Sequence, residues 1–382
     1  MGLRMVVGLV FTGLVLAFEL GRRAPVPPEP RAQWPVASGA VPVGDLVVRA
    51  RGQIPMPANT PAAHASSLLA MPAGHPSVLM AFWFAGSRES GPDVQIAASH
   101  FDHASQQWSA ARFVVNRTQG GQRPGFGVRR LGNPVAWLDA QSRIHLFVVA
   151  TGMGGWAAGR ILHLKQVDDG HDFSRLEFRA ERVLPLSWLW NTSFLVRTMP
   201  LALSDGGMVL PAYFELGSKY PVALRFDAAG EFRGMVRISG RRHLLQPTLL
   251  TRTPTDWLAL MRDSGPDKKI KAAQTLDGGR SWSDLSDLPL YNPDAAIAGL
   301  GLGPASMVLA HNALPDSRSV LDLSFSSDGL RWTRQHTLVR GDAASEYSYP
   351  SMTWADGSLW ISYTEQRRAI AWQRLAAPVA RR

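Results

Sequence analysis

Several residue types that carry out enzyme chemistry are missing from this sequence or stand at uninformative spacings. The 382 residues include no cysteine, which excludes a thiol nucleophile, a thiolate metal site and a disulfide framework. The histidines at positions 64, 100, 103, 145 and 163 lack metal-ligand spacing, so we predict no metal site. A glycine-rich phosphate loop and a Gly-x-Ser-x-Gly nucleophile elbow are also missing. Carboxylate, hydroxyl and guanidinium groups remain as the candidates for chemistry.

The charge balance of the chain favours an acidic ligand. Forty Lys and Arg residues stand against thirty Asp and Glu residues, giving a formal net charge of +10. Such an excess suits an acidic ligand or an anionic surface. The basic residues are scattered and form no basic helix, so we do not expect a nucleic-acid partner.

The elements that must position these groups are short strands. From about residue 41 onward, apolar runs of strand length recur between turns rich in Gly, Asp, Pro and Ser. They are residues 77–85, 143–151, 208–214, 257–261, 306–311, 319–325 and 358–363. Their β-branched and aromatic content and the absence of a long amphipathic helix pattern predict an all-β protein.

A turn motif repeats along the chain at a nearly constant interval. An Asp-Gly turn precedes an aromatic residue at 275–282, 326–332 and 166–173, and more loosely at 99–108. A degenerate copy near Asp227 gives spacings of 66, 59, 50 and 51 residues between successive Asp positions. Repeats of this length, each with several strands, are typical of propellers. The span 41–375 therefore predicts a six-bladed β-propeller.

The Asp residues of this motif have a structural explanation. An Asp carboxylate accepts backbone N–H groups across a tight hairpin, glycine adopts positive φ, and the Ser or Thr hydroxyl closes the same network. The tryptophan that follows packs into its blade. We therefore assign no catalytic role to the repeat aspartates.

The N-terminal region is expected to direct export. Residues 5–18 form an apolar run of fourteen, which is signal-peptide length and shorter than the roughly 20 residues that span a bilayer. We expect residues 1–23 to be a cleaved signal peptide or an uncleaved inner-membrane anchor, and residues 24–40 to be a Pro-rich linker. The protein would then be periplasmic or extracellular. Residues 376–382 are predicted to be a tail.

Eleven short segments, taken in order, resemble one known family. They are residues 64–66, 83–93, 132–135, 210–215, 246–247, 261–263, 291–293, 311–312, 318, 346–350 and 363–367. Across about 60–372 the chain resembles the bacterial predicted neuraminidases with BNR/Asp-box repeats, within the sialidase superfamily. The resemblance implies a six-bladed propeller with a pocket on its central axis.

The same resemblance implies roles for several residues. Arg262 and Arg318 match two of the three arginines that clamp the carboxylate of the substrate, because a guanidinium group binds a carboxylate bidentately and stays charged. Tyr349 matches the nucleophile, with Tyr347 as an alternative. A neutral phenol suits this role since it avoids repulsion with the substrate carboxylate.

Further positions match the surroundings of such a pocket. Arg88 matches an arginine of the first blade that lines it, and Arg367 is a further candidate for binding the carboxylate. The acid/base residue should follow Arg88, and both Glu89 and Asp93 fit. No cofactor is implied.

Two positions depart from the family pattern. His64 stands where sialidases have the remaining clamp arginine, and Gln246 stands where they have the glutamate that polarises the tyrosine. Glu346 lies close to the tyrosine in sequence and could replace that glutamate. Asn133, Asn312 and Gln246 are expected either to hold sugar hydroxyls or to satisfy backbone groups at blade ends.

The sequence thus predicts a sialidase-like exo-glycosidase that acts on a terminal acidic sugar of a glycan. Two alternatives remain open. One is a non-catalytic glycan-binding propeller of the cell envelope, and the other is a glycosidase for a different acidic sugar.

Overall fold

The structure is a computed structural model, and it describes residues 10, 12–13, 29–35, 46–118, 127–167 and 172–377. Within these residues the chain forms six antiparallel sheets, five of four strands and one of five. The sheets are arranged as the blades of a propeller, so the prediction of a six-bladed all-β fold is confirmed.

The first strand, β1 (Val47–Gln53), belongs to the last blade and is described with it. Blade I contains β2 (Ala62–Ala70), β3 (Ser77–Gly86), β4 (Gln95–Asp102) and β5 (Arg112–Val115). Blade II contains β6 (Arg130–Leu138), β7 (Ile144–Thr151), β8 (Arg160–Gln166) and β9 (Phe178–Val183). Blade III contains β10 (Phe194–Val196), β11 (Leu201–Ala202), β12 (Met208–Phe214), β13 (Tyr220–Phe226) and β14 (Phe232–Arg237).

The second half of the chain repeats the arrangement. Blade IV contains β15 (Leu244–Thr251), β16 (Trp257–Asp263), β17 (Lys271–Thr275) and β18 (Ser283–Asp284). Blade V contains β19 (Ala298–Gly303), β20 (Ser306–Asn312), β21 (Val320–Ser326) and β22 (Thr333–Arg340). Blade VI contains β23 (Tyr347–Ala355), β24 (Ser358–Glu365) and β25 (Ala369–Ala376). Two 3-10 turns, Trp156–Ala158 and Phe173–Arg175, lie in connections of blade II.

The N-terminal strand closes the ring. β1 pairs with β25 as the outer strand of blade VI, so that the two ends of the propeller are held in one sheet. A closed ring leaves only short protected strand edges, which is how propellers avoid edge-to-edge association.

The apolar runs identified in the sequence form the most deeply buried strands. Six of the seven runs are the second strands of the six blades, β3, β7, β12, β16, β20 and β24, and the seventh is β21. β3 and β7 are buried along their whole length because blades pack against them on both faces. Such strands appear as continuous apolar runs rather than alternating patterns.

The described copies of the Asp-Gly turn occupy the same place in the fold, the hairpin that leads into the last strand of a blade. In blade IV the Asp277 carboxylate accepts from the Thr275 hydroxyl at 2.7 Å and from the Ser281 backbone N–H at 2.9 Å. The degenerate copy at Asp227 accepts two backbone N–H groups in the same way. The blade II copy includes residues 168–171, which lie outside the described residues. The structural interpretation of the described copies is therefore confirmed.

A short N-terminal segment also contacts the propeller. Within residues 29–35, the Ala32 N–H donates to the Pro254 carbonyl at 2.7 Å, and Ala32 is buried. Pro254 follows the end of β15, so the segment binds the face at which the first strands of the blades end. The rest of the predicted linker 24–40 lies outside the described residues, as do most of the predicted signal or anchor and positions 378–382. No helix within the described ranges is long and apolar enough to cross a membrane.

Candidate functional site

The first strand of each blade lines the propeller axis, and four of these strands share a bulge near their start. The bulged residues are Ala65, Asn133, Gln246 and Tyr349, with φ between 43° and 55°. A non-glycine residue in this region is uncommon and costs backbone energy, and bulges serve to redirect side chains. The repeated bulge turns three polar side chains towards one point on the axis.

A cavity of about 190 Å³ opens at this point, on the face where the first strands begin. We refer to it as the axial cavity. Its polar lining comes from His64, Glu89, Asn133, Tyr213, Glu215, Lys219, Gln246, Arg262 and Tyr349. Its apolar lining comes from Phe84, Trp156, Leu195 and Leu245. A concave site with a few converging polar groups on an apolar wall is typical of small-ligand binding.

Arg262, at the end of β16, links several of these groups. Its Nε donates to Asp294 Oδ1 at 2.6 Å, and its Nη1 donates to Gln246 Oε1 at 3.0 Å. The same Nη1 lies 3.5 Å from the Tyr349 hydroxyl. Burial alone would lower the pKa of this guanidinium, but the neighbouring Tyr349 and Asp294 raise it overall. Arg262 therefore stays charged beside the tyrosine.

Gln246 connects Arg262 to the opposite wall. Its amide nitrogen donates to the Tyr213 hydroxyl at 3.3 Å, while its amide oxygen accepts from Arg262. Burial raises the pKa of Tyr213, so that its phenol stays protonated. No hydrogen bond among the described residues joins Gln246 to Tyr349, and an amide cannot accept the tyrosine proton as a carboxylate would.

The backbone around Tyr349 is held by a buried arginine, Arg197, which the sequence analysis missed. The Arg197 guanidinium donates to the Tyr349 carbonyl, to the Pro350 carbonyl at 3.0 Å and to the Ser66 carbonyl at 3.2 Å. Its Cζ lies 5.1 Å from the centroid of the Tyr349 ring. Burial lowers the pKa of Arg197 to about 10, which still leaves it charged at neutral pH. Arg197 thus braces the two bulges that present Tyr349 and His64.

His64 packs against Tyr349 rather than extending a charge into the cavity. The two ring centroids are 4.2 Å apart, and His64 is 3% exposed. Burial, reinforced by the charges of Arg367 and Arg197, lowers the pKa of His64 to about 3. At neutral pH the imidazole is uncharged, so it does not replace the charge of a clamp arginine.

Three arginines and three acidic residues alternate in a network of ion pairs and hydrogen bonds that begins and ends at two residues of the cavity lining, Arg262 and Glu89. Arg318 donates to Glu346 Oε1 at 3.1 Å and to the Asp294 carbonyl at 2.7 Å. Arg367 donates to Glu346 Oε2 at 2.8 Å and also pairs with Glu89. We refer to Arg262, Asp294, Arg318, Glu346, Arg367 and Glu89 together as the rim network. Each positive charge in it already has an acidic neighbour.

Glu346 is a member of this rim network and is not bonded to Tyr349. Both of its oxygens accept from arginines, and Oε1 also accepts from the Ser348 hydroxyl at 3.0 Å. Burial opposes its ionisation, but Arg367 and Arg318 outweigh that effect and lower its pKa to about 2. No described contact connects it to the tyrosine as the sequence analysis suggested.

The two acid/base candidates occupy different places. Glu89 lines the axial cavity. Asp93 is exposed, and its two oxygens accept from the Ser87 N–H and hydroxyl, both at 2.8 Å, which closes the loop after β3. Arg88 is also exposed and is not part of the axial cavity lining, but it borders a narrow cleft with Glu89 and Arg367 and a second, neighbouring cleft. Of these three residues, only Glu89 lies among the groups around Tyr349.

Asn133 and Asn312 also occupy different places, and only Asn133 lines the axial cavity. Asn133 lines the axial cavity from its bulge in β6. Asn312 is fully buried, and its amide nitrogen donates to the carbonyls of Val320 at 3.0 Å and Tyr347 at 2.8 Å. Asn312 thus satisfies backbone groups at a blade end, which was one of the two expectations for it.

Glu215 and Lys219 are cavity residues that the sequence analysis did not select. Lys219 Nζ lies 3.6 Å from Glu215 Oε1 in the connection after β12. Burial raises the pKa of Glu215 above its ordinary value, although Lys219 and Arg262 counteract the effect. A carboxyl group with a raised pKa in a cleft is suited to proton transfer. Glu215 ends the segment 210–215, which resembles the corresponding segment of the neuraminidase family, and this resemblance is the one sequence signal for it.

Trp156 completes the apolar wall because of a glycine on the neighbouring strand. A Cβ on Gly132 would lie 2.4 Å from the Trp156 ring, so only glycine allows the indole to rest there. No group of three His, Asp or Glu side chains among the described residues is arranged to hold a metal ion.

The blades and the axial cavity define a six-bladed propeller with the fold of solved sialidases. The chain belongs to the BNR repeat-like domain family, whose model matches residues 77–361. A search among curated protein sequences finds no match.

Solved structures with the same fold include two sialidases. The "Hadza microbial sialidase Hz136" is 17% identical with a TM-score of 0.65, and the match covers 83% of this chain and 66% of that one. The Trypanosoma rangeli sialidase in complex with 2,3-difluorosialic acid is 12% identical with a TM-score of 0.66, covering 85% and 59%. A protein of unknown function from Dyadobacter fermentans is 11% identical with a TM-score of 0.68, covering 87% and 100%. The chain therefore spans only 66% and 59% of the lengths of these two sialidases. At these identities the likeness concerns the fold.

Proposed function

We propose that this protein binds a terminal acidic sugar, sialic acid or a related one, in the axial cavity and hydrolyses its glycosidic bond. The observation that carries the proposal is the meeting of Tyr349 and Arg262, 3.5 Å apart, in a cavity that also contains Glu89 and Glu215. An acidic sugar suits these groups better than a neutral one, because a guanidinium group in the cavity wall forms charge-assisted hydrogen bonds with a carboxylate.

Recognition of the sugar carboxylate would fall to Arg262 and Arg318. Arg262 lines the cavity, and Arg318 is linked to it through Asp294, because Arg262 bonds the side chain of Asp294 and Arg318 bonds its carbonyl. A bound carboxylate would compete with Asp294 and Glu346 for them. We therefore expect binding that is weaker than in a site with three free arginines, and that depends on ionic strength.

The chemical step would use Tyr349 and two carboxyl groups. The Tyr349 oxygen forms a bond to the anomeric carbon as the bond to the leaving-group oxygen breaks, and Glu89 gives the leaving oxygen its proton. Glu215 is the second carboxyl group in the cavity, and we assign it as the acceptor of the phenol proton in place of Gln246. Water then attacks the anomeric carbon and Glu89 accepts the water proton. The bond from the anomeric carbon to the Tyr349 oxygen breaks, and Glu215 returns its proton to that oxygen.

A second candidate function is glycan binding without turnover. Two observations favour it. The position that should polarise the tyrosine carries an amide, Gln246, and Glu89 is engaged by Arg367. Both functions require the same acidic sugar, so they differ in turnover and not in ligand.

One assay separates the two. The purified chain is incubated with fluorogenic α-glycosides of sialic acid, of its deaminated analogue and of a hexuronic acid, alongside Tyr349→Phe. Hydrolysis of one glycoside that falls at least about 10³-fold in Tyr349→Phe supports the hydrolase. Binding of the sugar by both proteins without turnover supports the non-catalytic alternative. Hydrolysis that survives Tyr349→Phe unchanged refutes the assignment of the nucleophile.

A further inference from the structure

A second charged depression lies beside the axial cavity. It is a cleft of about 420 Å³ between blades I and II, on the same face of the propeller. Four arginines line it: Arg88, Arg117, Arg129 and Arg130. We refer to it as the arginine cleft. The sequence around it is unusual, since residues 103–138 contain five arginines and no aspartate or glutamate.

Among the described residues, no salt bridge neutralises the charges of the arginine cleft, and the acidic residue whose pKa Arg88 helps to lower is Asp93. Arg88, Arg117 and Arg129 are exposed, and no ion pair joins any of them to a carboxylate among the described residues. Residues 119–126 lie outside the described residues, but their sequence contains no acidic residue. The nearby Asp93 has both oxygens occupied by Ser87.

The arginines of the rim network differ from those of the arginine cleft in their ion pairs. In the rim network each arginine has an acidic neighbour, as in the pairs Arg318–Glu346 and Arg367–Glu89. In the arginine cleft like charges converge on a concave surface, which costs repulsion in the free protein and concentrates positive potential. Guanidinium groups arranged in this way bind carboxylates, sulfates or phosphates.

The two depressions share their walls. Glu89 lines the axial cavity and the adjacent Arg88 lines the arginine cleft, so one loop separates them. On the other side, Gly152 and Gly154 border the cleft, and Trp156 of the same connection borders the cavity. A chain that leaves the axial cavity on this side passes directly over the arginines.

We propose that the arginine cleft binds the second and following acidic groups of a polyanionic glycan whose terminal acidic sugar occupies the axial cavity. The inference rests on the proposed function for the terminal sugar. It adds that the natural ligand carries acidic groups on successive sugars, and that a glycan with a single acidic group uses only part of the site.

The test compares a monomer and an oligomer of the same sugar. Methyl α-sialoside and an α2,8-linked sialic acid trimer are titrated calorimetrically at low and at physiological salt. All proteins carry Tyr349→Phe, so that turnover does not consume the trimer. The charge variant is Arg117→Gln with Arg129→Gln. Its matched control is Arg334→Gln with Arg340→Gln, two arginines in the outer strand β22 of blade V.

We expect the trimer to bind more tightly than the monomer, and the Arg117/Arg129 variant to weaken trimer binding about tenfold while leaving the monomer unchanged. The control should change neither. Equal affinity for trimer and monomer in the parent, or an equal trimer loss in the control, would overturn the inference.

A further variant, Arg262→Gln, separates this inference from the proposed function. If the trimer still depends on Arg117 and Arg129 while neither ligand responds to Arg262→Gln, the arginine cleft stands as an anion site and the axial assignment fails. If the monomer depends on Arg262 but the trimer gains nothing from the cleft arginines, the axial assignment stands and the arginine cleft fails as an anion site. Failure of the parent to bind either ligand overturns both.

Discussion

Acid should unfold this propeller earlier than its carboxylates alone would predict, because four histidines are buried in neutral form. Burial lowers the pKa of His64 to about 3, and burial likewise lowers the pKa of His145 and of His311 to about 4 each, despite nearby carboxylates. Burial and the charge of His145 lower the pKa of His163 well below its ordinary range. In the unfolded chain all four would titrate near 6.5.

The sign follows from where the protons bind. Between pH 6.5 and the lowered values, the unfolded chain takes up protons that the folded protein does not, so stability is lost as the pH falls through this window. At pH 5 each such histidine costs about 2 kcal/mol relative to neutral pH. His64, His145 and His311 together cost about 6 kcal/mol, which is comparable to the whole stability of a typical domain, and His163 acts in the same direction. Glu215 acts in the opposite direction, since its pKa is raised.

The assay is urea unfolding followed by tryptophan fluorescence at about pH 7.5 and pH 5. We expect the free energy of unfolding to fall by several kcal/mol at the lower pH. His311→Gln should reduce that fall by about 2 kcal/mol, because glutamine can still bond the Ser324 hydroxyl but does not titrate. His103→Gln, at an exposed position, is the matched control and should leave the fall unchanged. A fall below about 2 kcal/mol in the parent protein would refute this reasoning.

Three further predictions concern the axial cavity. Glu215→Gln should lower kcat at least about 100-fold and remove the corresponding limb of the pH profile while changing sugar affinity little; an unchanged profile would exclude Glu215 as proton acceptor. Gln246→Glu places a carboxylate beside Arg262 and should raise kcat about tenfold or more, because it supplies a base at the position that carries an amide. The kcat is measured with the glycoside that the parent cleaves fastest, and a lower kcat would contradict this role for position 246. Gly132→Ala should displace the Trp156 ring, weaken sugar binding about tenfold in calorimetry and lower the free energy of unfolding in urea by about 1–3 kcal/mol. Unchanged affinity would show that Trp156 does not contact the sugar.

The fold could be predicted because its signals are local and repeated. Each blade has a buried second strand that appears as one apolar run, and each described Asp-Gly turn closes a hairpin within a few residues. The network at Asp277 uses only residues 275–281, so the sequence motif and the structure coincide. Because the motif repeats at a nearly constant interval, dividing the span 41–375 by that interval gives six blades. This step requires no knowledge of long-range contacts.

The candidate site could be predicted only in part, because its residues come from different blades. Resemblance selected Arg262, Tyr349, Gln246 and Glu89, and the structure brings them around one cavity. It did not distinguish Glu89 from Asp93, since the difference depends on two hydrogen bonds to Ser87 that close the loop.

The residues that sequence analysis missed act across the axis. Arg197 belongs to blade III but bonds carbonyls of blades I and VI, and Glu215 reaches the cavity from the connection after β12. In the sequence, Arg197 follows an ordinary apolar run and has no neighbouring carboxylate to mark it. Its role is defined by backbone carbonyls that only the closed ring brings together.

The central claim is that the axial cavity recognises the charge of an acidic sugar. The most direct measurement is the affinity of the parent protein for methyl α-sialoside compared with its methyl ester, which has the same shape but no carboxylate charge. We predict that the acid binds at least about tenfold more tightly than the ester, and that Arg262→Gln abolishes the difference. Equal affinities for the acid and the ester would contradict the account.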